Sequence, residues 1–288
     1  RLLSSFQAKL LSLELRRHTT WETFAKNHKF TNTSEDLSAN ISRELSKFDR
    51  INISDIFSHT YRPTSFVDEF GRTPGLYSYY KNRIGVSYNR DITKQFGITT
   101  RYANEINNVS TSNIRDSYVN DASIEGTYFF SSNTVFLATY EFNNRKFVNS
   151  KDATTNSVSG ALRQNITKQL YFDVRAGLDL IRSYDNTRYT RPFAEASLTD
   201  EIDNKTVVNV AFTKEDYTNA YRQDLFNHWQ ISGSLTRELL KKLRGSVSGF
   251  YGNGEYVAES ITNNLRGVRA DFTYDIRDNI KGRLSYSY

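Results

Sequence analysis

The stretch Ile84-Gly85-Val86-Ser87-Tyr88-Asn89-Arg90-Asp91-Ile92-Thr93-Lys94-Gln95-Phe96-Gly97-Ile98-Thr99-Thr100-Arg101-Tyr102 decides the fold. Ile84, Val86 and Tyr88 alternate with small or polar residues. Asp91 to Gln95 then forms a polar connector, and Phe96, Ile98, Thr100 and Tyr102 restart the alternation. A period of two on both sides of a short polar break is the signature of a β-hairpin. The connector has relatives at Asn165-Ile166-Thr167-Lys168-Gln169, Glu201-Ile202-Asp203-Asn204-Lys205, Glu238-Leu239-Leu240-Lys241-Lys242 and Arg277-Asp278-Asn279-Ile280-Lys281. Hairpins that recur in this way predict an all-β, antiparallel up-and-down meander closing into a transmembrane barrel.

Working outward, residues 6–22 read as one strand whose parity slips between Phe6-Ala8-Leu10 and Leu11-Leu13-Leu15, which suggests a bulge. Further hairpins join Leu37-Ala39-Ile41 to Ile51-Ile53, and Ala122-Ile124-Gly126-Tyr128-Phe130 to Phe136-Ala138-Tyr140-Phe142. Later pairs follow at 158–180, 194–212, 229–251 and 268–288. Long connections are expected at 23–35, 62–77, 105–119, 143–156, 214–225 and 252–262, alternating with the short turns. That sorts long loops to one end and short turns to the other, the asymmetry of outer-membrane barrels with external loops and periplasmic turns. The reading gives roughly fifteen strands in a single domain over 1–288, with the last strand ending at Tyr288 on the loop side. Because an odd count is unusual in bacterial barrels, one or more terminal strands are expected to be missing from a whole of about 16 to 18. A start at Arg1 without Met fits a processed product whose export signal has gone.

Composition agrees with a wall that meets two solvents. Hydrophobic residues make up 38% of the chain, too few to fill a large soluble core, yet there are 19 Tyr and 19 Phe. The absence of Cys removes disulfide, thiol and thiolate-metal chemistry, and four scattered His offer little for a metal. The net charge of +6 comes from 38 basic and 32 acidic residues interleaved without a basic block, so nucleic acid is not expected as a partner. No run of about 18 apolar residues exists for a transmembrane helix, whereas a spanning strand needs only about 9 to 11 residues.

The parity opposite to the apolar rows carries the charge. It includes Arg83, Arg101, Glu125, Glu141, Arg163, Asp173, Arg175, Asp179, Arg191, Glu195, Arg244, Arg269, Asp271, Lys281 and Arg283. A dry core could not hold so many ions, so these are the expected lumen-lining residues. Tyr80, Tyr102, Phe130, Tyr140, Phe142, Tyr251, Tyr274 and Tyr288 lie near strand ends and are expected to form aromatic girdles at the membrane interfaces. A soluble antiparallel sheet with one wet face shows the same alternation, and aromatics also have plain strand propensity, so that alternative stays open.

No catalytic constellation stands out. His228 is followed at the same-face position by Gln230, His59 by Tyr61 and His18 by Thr20, so no His-x-Ser strand arrangement occurs. Asp173 and Asp179 are separated on their face by Arg175, which suits wall charges better than an acid and base couple. Neither enzyme activity nor a cofactor is expected.

The alternating strand followed by Asp/Asn-Ile-Thr-Lys-Gln and an apolar restart resembles the β-barrel porin 2 group of bacterial outer-membrane proteins, over most of residues 36–288. The resemblance implies an outer-membrane barrel; some members of that group are associated with exopolysaccharide export, and no family site residue carries over by position. Two functional readings follow. One is a passive channel for polar solutes with a slight anion preference, in which Arg163, Arg175 and Arg191 form a basic patch on successive strands. The other is an export conduit for polysaccharide or a partner protein, with Phe129, Tyr171, Phe193 and Phe250 as stacking platforms. A plugged structural barrel is a third alternative. The expected partners are outer-membrane lipid and, on the export reading, periplasmic components, with oligomerisation left open.

Overall fold

The computed structural model describes residues 2–8, 11–22, 32–60, 78–110, 116–148, 152–219, 224–258, 260–277 and 280–288. They form one sheet of sixteen antiparallel strands in sequence order. The strands are β1 (Leu2–Ala8), β2 (Leu11–Glu22), β3 (Asn32–Glu44), β4 (Asp49–Thr60), β5 (Tyr79–Asp91), β6 (Phe96–Val109), β7 (Ser117–Phe129) and β8 (Thr134–Phe147). The second half comprises β9 (Ala153–Asn165), β10 (Leu170–Arg182), β11 (Arg188–Asp203), β12 (Thr206–Asn219), β13 (Asp224–Leu240), β14 (Leu243–Tyr256), β15 (Ile261–Arg277) and β16 (Ile280–Ser287). Each strand pairs with its sequence neighbours, the up-and-down order of a β-barrel wall. Among the described residues the ladder runs from β1 to β16 without a pairing of β1 to β16.

The sheet has sixteen strands where roughly fifteen are expected from the sequence, and the added one lies at the N-terminus. The parity slip falls between two paired strands and is not a bulge within one: Phe6 pairs with Leu13 and Ala8 with Leu11, so the strand expected over 6–22 divides into β1 and β2. Reversing the chain across a two-residue connection changes the phase of the apolar positions, and this read as a slip within one strand.

The recurrent connector owes its spacing to hydrogen bonding. Ile92 N–H donates to the Phe96 carbonyl at 2.9 Å. The Thr93 hydroxyl accepts from the N–H groups of Gln95 at 3.2 Å and Phe96 at 2.9 Å. The same fold of the chain recurs at Ile166 and Leu170, where the Thr167 hydroxyl accepts from Gln169 and Leu170, and at Ser46, which accepts from Phe48 and Asp49. A hydroxyl one residue into the turn satisfies two N–H groups that the ladder leaves unpaired, which accounts for the Ser or Thr at that position.

At the opposite end the connections are shorter than expected. Strands reach Val109 and resume at Ser117, reach Phe147 and resume at Ala153, reach Asn219 and resume at Asp224, and reach Tyr256 and resume at Ile261. Residues 183–187 add a tight loop that the alternation did not reveal, with Asn186 at φ 69°. The expected loop at 62–77, and residues 23–31 of the one expected at 23–35, lie outside the described residues. The contrast in loop length is therefore confined to the N-terminal connections. Strands such as β13, with 17 residues, outrun the length of about 9 to 11 that spans a bilayer. Beyond that length pairing continues although the apolar alternation stops, and Glu105 and Asn107 are buried there. In the run Asn104-Glu105-Ile106-Asn107-Asn108 the sequence looks like loop, yet the chain is strand.

Among the described residues no second layer covers the sheet. Ile84, Ile124, Val158, Leu178, Val210, Ile231, Val247 and Val268 are exposed, and the register puts them on one face. Leu225 and Phe226 are the largest fully buried side chains, and they sit at the loop end rather than mid-wall. A soluble sandwich is excluded for the described residues, since its inner rows would be packed against a facing sheet. Uncovered apolar rows of this extent mark a face that meets a membrane or another protein.

Candidate functional site

Register settles which side chains share a face. Directly paired residues point the same way, and following the pairs from β5 to β16 places all fourteen expected wall charges, and Lys281, on one face. Arg83 faces Glu105, Arg163 faces Asp173, Arg175 faces Glu195, and Asp179 faces Arg191. A few apolar side chains interrupt this face, Ile56, Phe129, Val207 and Phe250 among them.

The charges interlock. Arg83 contacts Asp121 at 2.7 Å and Glu105 at 3.2 Å, and Lys81 reaches Glu105 at 3.0 Å. Asn107 donates to the other Glu105 oxygen at 2.9 Å, while Tyr79 donates its hydroxyl proton to Asn107 at 2.5 Å. Arg101 pairs with Glu125 at 3.2 Å and Arg163 with Asp173 at 2.6 Å. Arg175 bridges three strands, meeting Glu141 at 3.1 Å and Glu195 at 3.7 Å, and donating to the Ser159 hydroxyl at 3.1 Å. Asp271 gathers Arg269 at 2.6 Å, Arg283 at 2.8 Å and the Ser285 hydroxyl at 2.6 Å. Arg244 lies on the same face near the turn end.

Two expectations change in detail. Arg163, Arg175 and Arg191 do lie on successive strands, but they are not a bare basic patch: each has an acid opposite or alongside, and Arg175 and Arg191 also lie over the rings of Phe193 and Tyr189. The network also includes Lys81, Glu105, Asn107 and Asp121, which sequence reading left out. Glu105 was placed in a loop, and Asp121 precedes the first apolar residue of its run. Their shared parity with Arg101 and Ser123 was the available signal.

Two hollows open on this face. One of about 500 Å³ lies among Asn52, Ser54, Arg83, Ser87, Arg101 and Asp121. The other, of about 420 Å³, lies among Glu125, Glu141, Arg163, Asp173, Arg175 and Glu195. Among the described residues no group of three His, Cys, Asp or Glu side chains forms a metal-ligating set.

The expected girdle residues point to the other face. The Tyr102 hydroxyl donates to Asn120 at 3.0 Å and the Tyr140 hydroxyl to Asn156 at 2.8 Å, marking where the apolar rows give way to Asn104, Asn120 and Asn144. Tyr251 lies edge-on to Trp229 at 5.9 Å, Tyr80 stacks on His59 at 4.2 Å, and Phe142 pairs with Asn156. Phe130, edge-on to Phe136 at 6.2 Å, and Tyr274 are at the turn end. Tyr288 is exposed and pairs through its backbone with Val268.

No protein-family model and no curated protein matches the chain. Solved structures do. The FrpB iron transporter from Neisseria meningitidis superposes with a TM-score of 0.60 at 6% identity over 99% of this chain and 58% of its own. The ferric-catecholate import receptor Fiu from E. coli gives 0.55 at 9% identity, over 99% and 62%. The copper transporter OprC gives 0.56 at 9% identity, over 99% and 57%. At such identities the likeness is one of fold, and the chain spans about three-fifths of the length of these outer-membrane β-barrels.

Proposed function

We propose that the chain forms the wall of a bacterial outer-membrane channel whose charged face lines a water-filled passage for polar solutes. The observation that carries this reading is the division of one unlayered sheet into an apolar face rimmed by Tyr–Asn pairs and a face of interlocked ions. Hydrocarbon against the first and water against the second is the arrangement with the lowest solvation cost, because an Arg or Lys facing lipid at midplane costs about 2 to 4 kcal/mol. The fold shared with iron and copper transporters supports a transport role without naming a solute.

A diffusive channel fits better than a sugar-lined export conduit. Phe193 and Phe250 lie flat over Gly177 and Gly267, where an added Cβ would come within 2.6 Å of each ring. These aromatics fill the wall over glycines and are not free platforms. The passage carries nearly balanced charge: eight Arg, Lys281 and six acids among the expected residues become ten cations and eight anions once Lys81, Glu105 and Asp121 are added. The expected selectivity is a weak anion preference.

Two measurements test this. The protein should fractionate with outer membranes and migrate faster on gels before boiling than after. In planar bilayers it should give discrete conductance steps, with Arg175→Glu turning the reversal potential toward cations, because the substitution leaves Glu141 and Glu195 without their shared partner. A protein that dissolves without detergent, or inserts and never conducts, contradicts the channel reading.

A further inference from the structure

The channel reading leaves one cluster of charge unused. Lys47, Lys94, Lys168, Lys205, Lys241 and Lys242 all lie in the short turns, all are exposed, and none makes an ion pair among the described residues. The acids beside them are engaged elsewhere. Asp49 accepts from the Ser46 hydroxyl at 2.5 Å and the Tyr88 hydroxyl at 2.5 Å. Asp203 accepts the backbone N–H of Lys205 at 2.7 Å, Glu44 holds Arg50 at 3.1 Å, and Asp275 holds Lys281 at 3.4 Å. Of the remaining carboxylates, Asp91, Glu201 and Glu238 continue the charged-face parity, leaving Asp200 in the apolar-face rows.

The same turns expose large apolar side chains. Phe48 is 62% exposed, Ile92 50%, Ile166 53%, Ile202 55% and Leu239 47%. Ile92 and Ile166 continue an apolar-face row past the last paired residue, and Ile202 and Leu239 sit at register shifts one residue before the last pairs, Asp203–Thr206 and Leu240–Leu243. Leu239 folds back along that face, since a Cβ on Gly245 would lie 3.1 Å from its Cδ1 and 3.3 Å from the Phe272 ring. An apolar residue that reaches toward the hydrocarbon edge therefore sits within a few residues of an unpaired ammonium in turn after turn.

We propose that this rim docks on the headgroups of anionic phospholipids in the adjacent leaflet, the lysines meeting phosphate while the turn Ile, Leu and Phe side chains enter the acyl boundary. The proposal rests on the membrane-wall reading. Charge complementarity singles out lipid phosphate: a compact ammonium on a flexible stem suits a mobile phosphate that presents no fixed bidentate geometry. The repeat of ammonium plus apolar neighbour follows the plane of the membrane edge and not one patch of the circumference.

The test is electron spin resonance of the protein reconstituted in phosphatidylcholine vesicles containing spin-labelled phosphatidylglycerol or spin-labelled phosphatidylcholine. At low salt the wild-type protein should bind the phosphatidylglycerol label about threefold or more over the phosphatidylcholine label, and about 0.5 M NaCl should bring the two together. Lys47→Gln/Lys94→Gln/Lys168→Gln/Lys241→Gln should remove the preference, and the four corresponding Lys→Arg substitutions should keep it. Equal binding of both labels by inserted wild-type protein, or an undiminished preference in the Gln variant, overturns the proposal. Immobilisation of neither label means the chain is not in the bilayer, so the wall reading itself fails.

Discussion

The two rims of this wall are built by different means. At the short-turn rim three connectors are local devices in which one hydroxyl, of Ser46, Thr93 or Thr167, takes two N–H groups, and their side chains are exposed. At the loop rim, residues thirty or more positions apart in sequence bury side chains together. Phe226 lies 4.7 Å from Tyr256, Phe147 lies 5.2 Å from Tyr184, and Asp224 accepts the N–H of Ala258 at 3.1 Å. Sequence neighbours specify the first rim and tertiary packing specifies the second, so the loop rim should hold most of the cooperative stability that is independent of lipid. Phe226→Ala is the largest effect expected: about 3 to 5 kcal/mol by urea titration in lipid vesicles, followed through Trp229 fluorescence. The turn-rim counterpart Ile166→Ala should cost about 1 kcal/mol or less, since half of that side chain is already uncovered. Equal costs at both rims would remove the distinction.

Mid-wall, the contrast sharpens at Gly177. An added Cβ there would sit 2.3 Å from the Val158 carbonyl oxygen and 2.6 Å from the Phe193 ring. Gly177→Ala must push Phe193 off the strand and loosen Arg175 above it, at about 1 to 3 kcal/mol. The conservative partner Phe193→Leu should relieve the clash and recover part of the loss in the same titration. No recovery would mean that the contact with the Val158 carbonyl dominates.

This difference between the rims also explains what could be read from the chain. Between the turns and the Tyr102 and Tyr140 level, one face of the sheet carries apolar rows and the other carries charge, so Ile84, Val86 and Tyr88 reported both the strand and its facing. Beyond that level the constraint disappears. Asn104 to Asn108 alternate nothing, and Glu105, the acid joining Lys81 and Arg83, was hidden in an apparent loop. The first hairpin was missed for a related reason: a two-residue reversal between Ala8 and Leu11 leaves little polar sequence to mark it. The charged face was legible because parity alone assigns it. Which ions pair was not, since Arg83 reaches Asp121 two strands away and only the twist and side-chain length determine that contact.

The turn device itself should yield a smaller effect. Thr167→Ala leaves the N–H groups of Gln169 and Leu170 to water, and because the turn is exposed the loss should be about 0.5 to 1.5 kcal/mol. Thr167→Ser should restore it. The same pair of substitutions at Thr93 should give the same values, because the two turns share their hydrogen bonds. A disparity would show that their surroundings, and not the local device, set the stability.

The smallest net effect is expected on removing Asp55, a carboxylate in the apolar-face row, together with its hydrogen-bond donor. Asp55 lies opposite Ile84 and Ala39 and accepts a hydrogen bond from Asn82 at 2.7 Å. Asn82→Leu alone leaves the carboxylate without its donor and should cost about 1 to 3 kcal/mol if that level is within hydrocarbon. Asp55→Leu/Asn82→Leu removes both partners and should be neutral or stabilising by less than about 1 kcal/mol. Bilayer thickness then becomes the informative variable. In thin bilayers Asp55 reaches the headgroups and the double variant should gain nothing. In thick ones the same row is submerged, and the gain should appear. A gain independent of thickness would place the water boundary elsewhere than at the Tyr102 and Tyr140 hydroxyls, and would detach the loop rim from the membrane edge assigned to it.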